Sequence, residues 1–270
     1  MEFPIALQLY SIRDEMANDF YGTLKKVKEM GYDGVEFAGL FGKSADEVKG
    51  YCDELGLTPI SAHIPFGEML NNPSVLDTYS QIGCKYAVIP YLLEKHRPGN
   101  EAFDEFVEGV KTLAAKANSL GMKMAYHNHD FEFEKIDGKY ALDMIYDILS
   151  ADLLETELDT CWVNVGGENP VDYIKKYADR VNILHLKDFA GSKSDNMYAL
   201  IGIDEDEKKS QPTQFEFRPL GKGVQDFPSI LAAAKQVGTQ WVVVEQDMPS
   251  MDLSPLECAK TSIDYLKKEI

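Results

Sequence analysis

Basic residues are scarce in this sequence relative to acidic ones. It has 27 lysines and arginines against 45 aspartates and glutamates, and its formal net charge is −18. Phosphate backbones and anionic lipid surfaces are bound by basic patches, so we expect neither a nucleic-acid partner nor a membrane partner. A small anionic substrate stays open, because one local arginine could hold it.

Long apolar runs and paired cysteines are also missing. No run approaches the ~20 apolar residues that span a bilayer, and the first residues lack the basic and apolar pattern of a signal peptide. The cysteines, Cys52, Cys84, Cys161 and Cys258, form no CxxC pair and no disulfide-type spacing. These absences predict a cytoplasmic protein with reduced thiols. We interpret Cys161 as a buried small hydrophobe rather than a residue at a pocket rim.

One unit repeats along the 270 residues: an amphipathic helical stretch, a glycine or polar turn, and a short apolar run. The apolar runs begin near Ile5, Gly34, Thr58, Tyr86, Lys123, Glu155, Val181 and Trp241. Eight strand–helix repeats in a chain of this length predict an α/β fold, a (β/α)8 TIM barrel, as a single domain over residues 1–270. A doubly wound open sheet is the alternative, but the GxGxxG expected after its first strand is absent.

An ionisable residue stands at or near the end of most of these apolar runs. The residues are Glu36, His63, His127, His129, Asp159, His185 and Glu245. The chain has only five histidines, and four of them belong to this set. Buried ionisable groups are costly unless they are paired or bind metal, and barrel enzymes carry their sites at the carboxyl ends of the strands. The pattern therefore predicts one polar pocket at the mouth of the barrel.

The positions of four of these residues predict a metal site. His127, Asp159, His185 and Glu245 come from the fifth to eighth strands. Neighbouring strands lie ~4.8 Å apart, so the four side chains can converge on one ion. Two imidazoles and two carboxylates suit Mn²⁺, Zn²⁺, Co²⁺ or Fe²⁺, whereas Mg²⁺ prefers oxygen ligands alone. Each residue taken alone is commonly a helix cap, a rim group or a core histidine. The remaining histidine, His96, is interpreted as an exposed loop residue.

The connection after the seventh strand, at about residues 189–224, is unusually long. Loops of this length in compact domains are usually functional or disordered. We expect it to cover the mouth as a lid or to form a subunit contact, which leaves a homo-oligomer open. Its acidic run Asp204–Glu207 should face solvent. Arg218, near its end, is predicted to contact substrate through forked hydrogen bonds; a surface salt bridge is the alternative.

Short motifs along nearly the whole chain carry a resemblance to a known family. They are LQLYSIRD from Leu7, GVEF from Gly34, SAH from Ser61, YHNHDFEF from Tyr126, LDT from Leu158, HLKD from His185 and EQD from Glu245. In their order and spacing they resemble the xylose-isomerase-like superfamily, and within it the sugar phosphate isomerase/epimerase proteins. The resemblance implies a metal-dependent enzyme that acts on a small carbohydrate.

The resemblance also implies a ligand set. Epimerases of that superfamily hold one divalent ion with Glu, Asp, His and Glu from strands five to eight, and Asp159, His185 and Glu245 match the last three. His127 stands where the family has its first Glu, and Glu132, five residues further on, is the alternative ligand. With His127 in that place, one acid/base group of the usual two-glutamate mechanism is missing.

Further roles follow for the pocket residues. Glu245 is the first candidate for the base that removes the proton next to the substrate carbonyl. His129 and Lys187 are candidates for catalytic proton relay. The candidates for substrate contact are Gln8, Glu36, His63 and Arg218. For Glu36 and Lys187, a mutual structural ion pair is the alternative.

The function we expect is a metal-dependent isomerase or epimerase of a small ketose or keto-sugar, working through enediolate proton transfer. The first alternative is a metal-dependent lyase, dehydratase or hydrolase of a keto-sugar or keto-cyclitol, which needs the same metal and enolate but expels a group. The second is a non-catalytic sugar-binding protein. The net charge of −18 and the small number of histidines argue against assigning this chain to the DNA-repair endonuclease branch of the superfamily.

Overall fold

The computed structural model describes residues 3–193 and 215–269. Eight parallel strands close into a barrel in sequence order, so that the eighth pairs with the first. The strands are β1 Ile5–Gln8, β2 Gly34–Phe37, β3 Thr58–His63, β4 Tyr86–Ile89, β5 Lys123–His127, β6 Glu155–Asp159, β7 Ile183–Leu186 and β8 Trp241–Val244. The predicted α/β class and single-domain (β/α)8 TIM barrel are confirmed. Only β7 starts later than predicted, at Ile183 instead of near Val181.

Helices surround the barrel and connect its strands. They are α1 Arg13–Asn18, α2 Phe20–Met30, α3 Ala45–Leu55, α4 Phe66–Asn71, α5 Val75–Ile82, α6 Phe103–Ser119, α7 Ala141–Ile148, α8 Thr160–Val165, α9 Pro170–Lys176, α10 Phe227–Val237 and α11 Pro255–Glu269. Local sequence sets their ends. Ser44 and Glu47 satisfy each other's backbone N–H groups at the start of α3, and Gly31 ends α2 at φ +98°, where a residue with a Cβ would be strained.

Inside the barrel, apolar side chains lie beneath the polar ends of the strands. Ala125 and Ile183 each precede a histidine of the predicted site, His127 and His185, by two residues. Strand side chains alternate between the two faces, so each pair points to the same interior. The buried apolar cluster is Ala6, Ile60, Tyr86, Val88, Ala125, Ile183 and Val243. It fills the barrel below the polar residues, and the site opens towards the carboxyl ends.

The connection after β7 leaves and returns through a two-stranded antiparallel sheet, in which Asp188–Ala190 pairs with Glu216–Arg218. The buried carboxylate of Asp188 accepts backbone N–H groups from both sides of this connection. The donors and their distances are Phe189 at 2.9 Å, Gly221 at 3.0 Å, Gly223 at 2.8 Å and Gln225 at 3.1 Å. Burial raises the pKa of Asp188, although these N–H groups act in the opposite direction.

The acidic run Asp204–Glu207 lies outside the described residues. The expectations of a lid, of a subunit contact and of a solvent-facing acidic run therefore stay predictions.

Candidate metal centre

The ends of β5 to β8 bring the four predicted metal ligands together. His127, Asp159, His185 and Glu245 each offer one ligand atom, and these atoms lie within 4.8 Å of one another. We call these residues the outer cluster. All four are buried, with no more than 4% exposed. Two nitrogens and two carboxylate oxygens at such separations can hold one divalent ion.

A second group of ligand-type residues includes the fully buried Glu157 and shares both imidazoles with the outer cluster. This inner cluster is His63, His127, Glu157 and His185. The Nδ1 atom of His185 is 3.0 Å from Glu245 Oε2, and its Nε2 is 3.1 Å from Glu157 Oε2. The Nε2 atom of His127 is 3.7 Å from Asp159 Oδ2, and its Nδ1 is 3.2 Å from Glu157 Oε2. Each imidazole thus turns one nitrogen to the outer carboxylates and the other to Glu157.

Glu157 therefore occupies the place of a supporting carboxylate for both histidines. A metal-bound histidine commonly donates its other ring N–H to a carboxylate, which fixes the tautomer and the ring orientation. The same Glu157 Oε2 lies 2.6 Å from His63 Nε2. One fully buried oxygen thus contacts three imidazoles, and this contact holds the rings of the two predicted ligands in place.

One carboxylate oxygen of Asp159, in the outer cluster, shows whether a bound ion would suit these residues. Asp159 Oδ1 accepts the backbone N–H of Trp162 at 2.9 Å, but Asp159 Oδ2 is buried and accepts no hydrogen bond among the described residues. The Lys187 ammonium Nζ lies 3.4 Å from this oxygen, and the imidazole Nε2 of His127 lies 3.7 Å from it. A buried acceptor without a donor destabilises the fold. A bound cation would remove that penalty, so the residues present fit a divalent ion.

Glu36 anchors the inner cluster from the opposite side of the barrel. It is fully buried and accepts hydrogen bonds from Gln8 Nε2 at 2.6 Å and Ser61 Oγ at 2.5 Å. It also contacts His63 Nε2 at 3.1 Å and His185 Nε2 at 2.8 Å. Burial would raise the pKa of Glu36, but the two imidazoles outweigh it and hold that pKa well below the ordinary value.

The histidines differ in protonation. Burial lowers the pKa of His63, but the charges of Glu36 and Glu157 outweigh it and raise that pKa to about 10. The same carboxylates raise the pKa of His185 against the effect of burial. Burial and the neighbouring His185 hold the pKa of His127 well below its ordinary value. His127 is therefore ready to bind an ion as a neutral imidazole, whereas His185 must lose a proton to do so.

Lys187 neutralises the outer carboxylates. Its Nζ lies 2.9 Å from Glu245 Oε2, 2.8 Å from Asp247 Oδ2 and 3.4 Å from Asp159 Oδ2. Burial lowers the pKa of Lys187, but these charges outweigh it and raise the pKa well above the ordinary value. The suggested structural ion pair between Lys187 and Glu36 is wrong, because the two side chains bind different partners on opposite sides of the imidazoles.

Glu132, the alternative to His127 as a ligand, lies in a 3₁₀ turn after β5 and points elsewhere. One of its oxygens accepts the hydroxyl of Tyr126, and the other accepts the backbone N–H of His129 at 2.8 Å. Burial raises the pKa of Glu132 to about 7. The geometry thus places His127, and not Glu132, beside the other ligand-type residues.

A cavity of about 880 Å³ opens above the outer cluster. The ionisable residues nearest the clusters in its lining are His63, His127, His129, Lys187, Glu245 and Asp247. The predicted proton relays His129 and Lys187 are thus at the cavity surface. Gln8 and Glu36, predicted to contact substrate, are fully buried and hydrogen-bond each other beneath it. This geometry favours a supporting role for both.

Arg218 forms an ion pair with Glu216 Oε2 at 2.6 Å and is not among the lining residues of the cavity. This arrangement is the predicted salt-bridge alternative, and the substrate contact of Arg218 stays a prediction.

The interpretation of His96 as exposed is wrong. Its ring packs against Phe66 with centroids 5.4 Å apart and is only 6% exposed. Cys161 is fully buried in an apolar cluster, as interpreted.

Sequence reasoning missed two residues of the site, Glu157 and Asp247. Glu157 precedes Asp159 by two residues on β6, so strand alternation alone would have placed both inside the barrel. Asp247 follows Glu245 by two residues, but both lie beyond the end of β8 at Val244, so strand alternation does not place Asp247. Burial raises the pKa of Asp247 to about 6, with the charge of Lys187 acting in the opposite direction.

The sequence profile of the family described as "Xylose isomerase-like TIM barrel" matches residues 24–269. The chain belongs to this family. The barrel, with ligand-type residues at its strand ends, agrees with the resemblance noted from the motifs. Within the described residues, no helix is both long and apolar enough to cross a membrane.

Curated relatives of this family member are named inosose dehydratases. The protein from Geobacillus kaustophilus strain HTA426 is 23% identical over 270 residues, which cover 91% of this chain and 86% of that protein. The protein from Clostridium beijerinckii is 25% identical over 181 residues, and the match spans 65% of this chain and 57% of that protein.

Solved structures share the fold. A sugar phosphate isomerase/epimerase from Parabacteroides distasonis ATCC 8503 has a TM-score of 0.76 at 21% identity and covers 99% of this chain and 94% of its own. The IOLI protein, solved with a zinc atom, has a TM-score of 0.71 at 18% identity, covering 99% and 98%. An L-ribulose 3-epimerase has a TM-score of 0.72 at 13% identity, covering 99% and 94%. The relatives named for activities are enzymes, and the prediction of an enzyme is confirmed.

Proposed function

We propose that this chain holds one divalent ion in the outer cluster and enolises a small keto-sugar or keto-cyclitol. The observation that carries the proposal is the convergence of His127, Asp159, His185 and Glu245, with ligand atoms within 4.8 Å of one another. The support of both imidazoles by Glu157 fits the way proteins orient metal-bound histidines. Mixed nitrogen and oxygen donors suit Mn²⁺, Zn²⁺, Co²⁺ or Fe²⁺.

When bound, the ion would supply a Lewis acid that makes the C–H next to the substrate carbonyl more acidic. Glu245 is the proposed base. It reaches the cavity surface, and Lys187 and His185 hold its pKa below the ordinary value against the effect of burial. Glu245 is therefore ionised at neutral pH and can accept the proton.

Two cavity residues supply the acid side of the reaction. Lys187 donates a hydrogen bond to the substrate oxygen on which negative charge develops. Asp247, whose pKa is raised to about 6 by burial, protonates the departing oxygen. His129 is the alternative proton carrier. Burial and the charge of Lys187 hold its pKa well below the ordinary value, so its ring is neutral at physiological pH.

Elimination is the first candidate for the overall reaction, which makes the chain a lyase or dehydratase. Inversion at one carbon needs acid/base groups on both faces of the substrate, and His127 replaces one of the two glutamates that the resemblance to epimerases implies. Elimination needs one base and one acid. The inosose dehydratase names of the curated relatives also favour loss of water from a keto-cyclitol.

Isomerisation or epimerisation, the function expected from the sequence, is the second candidate. It shares the base and the ion, and it is supported by structural neighbours named sugar phosphate isomerase/epimerase and L-ribulose 3-epimerase. His129 would then return the proton at the second carbon or face. A small-molecule carbohydrate is the substrate in both cases.

The test is a panel of inososes, keto-sugars and ketoses, incubated with Mn²⁺-loaded or Co²⁺-loaded protein in D₂O and followed by NMR and mass spectrometry. Elimination removes water or a substituent, whereas isomerisation leaves the mass unchanged apart from deuterium. Glu245→Gln should slow deuterium exchange by roughly 10²- to 10⁴-fold while some metal remains bound. Near-normal exchange in this variant would move the base role to another residue.

A further inference from the structure

The turn that follows β1 presents a tyrosine to the cavity. The chain makes a single 3₁₀ turn over Leu9–Ile12, and the other three residues of this turn are buried. Tyr10 is partly exposed and is among the lining residues of the cavity. Its backbone N–H donates to Gln8 Oε1 at 2.9 Å. The first strand thus contributes a phenol to the cavity wall, while Gln8, which was predicted to contact substrate, lies buried beneath it.

The hydroxyl of Tyr10 lies in the field of the carboxylates that follow β8. Burial raises the pKa of Tyr10 and Arg13 lowers it, while the charges of Asp247 and Glu245 raise it further. The phenol is therefore protonated at neutral pH. A protonated phenol can donate a hydrogen bond to a ligand oxygen, and it adds no negative charge beside Glu245.

Arg13 ties this turn to the loop after β8. Its guanidinium carbon lies 4.3 Å from the centroid of the Tyr10 ring. Its Nη1 donates to the carbonyl oxygen of Tyr10 at 3.0 Å and to that of Asp247 at 2.9 Å. A planar guanidinium can stack on an aromatic ring and still donate hydrogen bonds. One side chain thus holds the phenol next to the loop that carries Glu245 and Asp247, so the phenol loses little freedom when a ligand binds.

We infer that the Tyr10 hydroxyl contacts the substrate and that Arg13 is the positioning residue that holds it there. This inference deepens the proposed function and rests on it for the identity of the ligand, a small polyhydroxylated ketone. Tyr10 donates to a ligand oxygen away from the carbon that loses its proton, so it stabilises substrate and transition state alike. Gln8 supports this contact from below instead of touching the ligand.

The first test removes the hydroxyl and keeps the ring. The probes are 2-keto-myo-inositol and D-fructose, titrated by calorimetry into Co²⁺-loaded protein. Tyr10→Phe should weaken binding of the better probe by about fivefold, because one neutral hydrogen bond is lost, with metal content unchanged. The matched control is Tyr21→Phe, which removes a hydroxyl that donates to Glu54 Oε1 at 2.7 Å and lies outside the lining of the cavity. Equal affinities of Tyr10→Phe and the control would overturn the contact.

The second test asks whether Arg13 acts through Tyr10. Arg13→Met removes the guanidinium, and the two loops stay joined because Ser11 Oγ accepts the N–H of Gln246 at 3.0 Å. Arg13→Met should weaken probe binding at least as much as Tyr10→Phe does. Residues that act together are non-additive, so the same change made in Tyr10→Phe should add less than about twofold. Fully additive losses, or unchanged affinity in Arg13→Met, would overturn the positioning role. Thermal unfolding confirms that each variant is folded.

Deuterium exchange into the same probes separates the contact from the reaction. Glu245→Gln should slow exchange at every probe concentration, whereas Tyr10→Phe should slow it in proportion to the lost affinity. Binding that depends on Tyr10 without any exchange overturns the proposed reaction and supports the contact. Exchange with an affinity that does not depend on Tyr10 supports the reaction and overturns the contact. Absence of binding by both probes overturns both.

Discussion

Replacement of Glu157 by glutamine should weaken metal binding although Glu157 is not in the outer cluster. Its Oε2 lies 3.2 Å from His127 Nδ1 and 3.1 Å from His185 Nε2. One change therefore removes the charged support of His127 and one of the two carboxylates that face His185 Nε2, where Glu36 remains at 2.8 Å. Loss of one such supporting group typically weakens metal affinity by ~10- to 100-fold. Because His127 loses its support while His185 keeps Glu36, we expect a loss near the middle of this range, ~30-fold, or about 2 kcal/mol.

The assay is competition for Zn²⁺ or Co²⁺ against a chelator of known affinity at pH 7.5. The matched control is Glu155→Gln, which makes the same substitution two residues earlier on β6, where Glu155 accepts a hydrogen bond from Asn182 at 2.6 Å. Thermal unfolding of both variants shows whether the barrel is intact. An affinity for Glu157→Gln within threefold of the unmodified chain, or an equal loss in the control, would refute the supporting role.

The remaining predictions concern the ion itself and a carboxyl beside the site. Protein purified without chelator should contain about one divalent ion per chain by elemental analysis, and Asp159→Ala and His185→Ala should each lower that content; full occupancy in both variants would contradict the ligand set. Glu132 has its pKa raised by burial from 4.5 to about 7, so its contribution to stability is complete below pH 4.5 and is lost as pH rises through 7. Relative to Glu132→Gln, the unfolding free energy of the unmodified chain should therefore fall by about 2 to 3 kcal/mol between pH 5 and 8, measured by urea titration; a difference independent of pH would show that Glu132 does not titrate in this range.

The barrel was predictable because the order of strand and helix patterns along the chain agrees with the residues that mark helix ends. Apolar runs of strand length alternate with amphipathic stretches, and the Ser44 cap and the Gly31 stop mark helix boundaries that the structure reproduces. The start of β7 was missed by two residues. Val181 is buried and apolar like a strand residue, but the ladder to the neighbouring strand begins at Ile183.

The candidate site was predictable where a residue ends its strand. His127, Asp159 and Glu245 follow apolar residues, so their position at the mouth comes from order along the chain. Glu157 was missed because it was grouped with the apolar part of its strand. The direction of Glu132 was open, since it depends on the hydroxyl of Tyr126, and no pattern in the sequence encodes that contact.

The burial of His96 could not be predicted from the sequence, for a different reason. It lies in a run of charged residues, Glu94 to Arg97, and such runs are usually solvated. The chain makes a single 3₁₀ turn over Glu94–His96, and this turn directs the imidazole onto Phe66. The burial of a polar residue in a short turn depends on the element packed against it, which is remote in sequence.

The carboxylate of Asp188 gives the long seventh connection a fixed base. Backbone N–H groups on its departing side, at Phe189, and on its returning side, at Gly221, bond to the same side chain. The entropy of closing a loop grows only slowly with its length. Residues can therefore be inserted, deleted or exchanged between the paired strands Asp188–Ala190 and Glu216–Arg218 while β7 and its histidine keep their positions, provided that the buried Phe215 is retained. This connection can therefore diverge during evolution without disturbing the barrel, and a foreign segment could be grafted there.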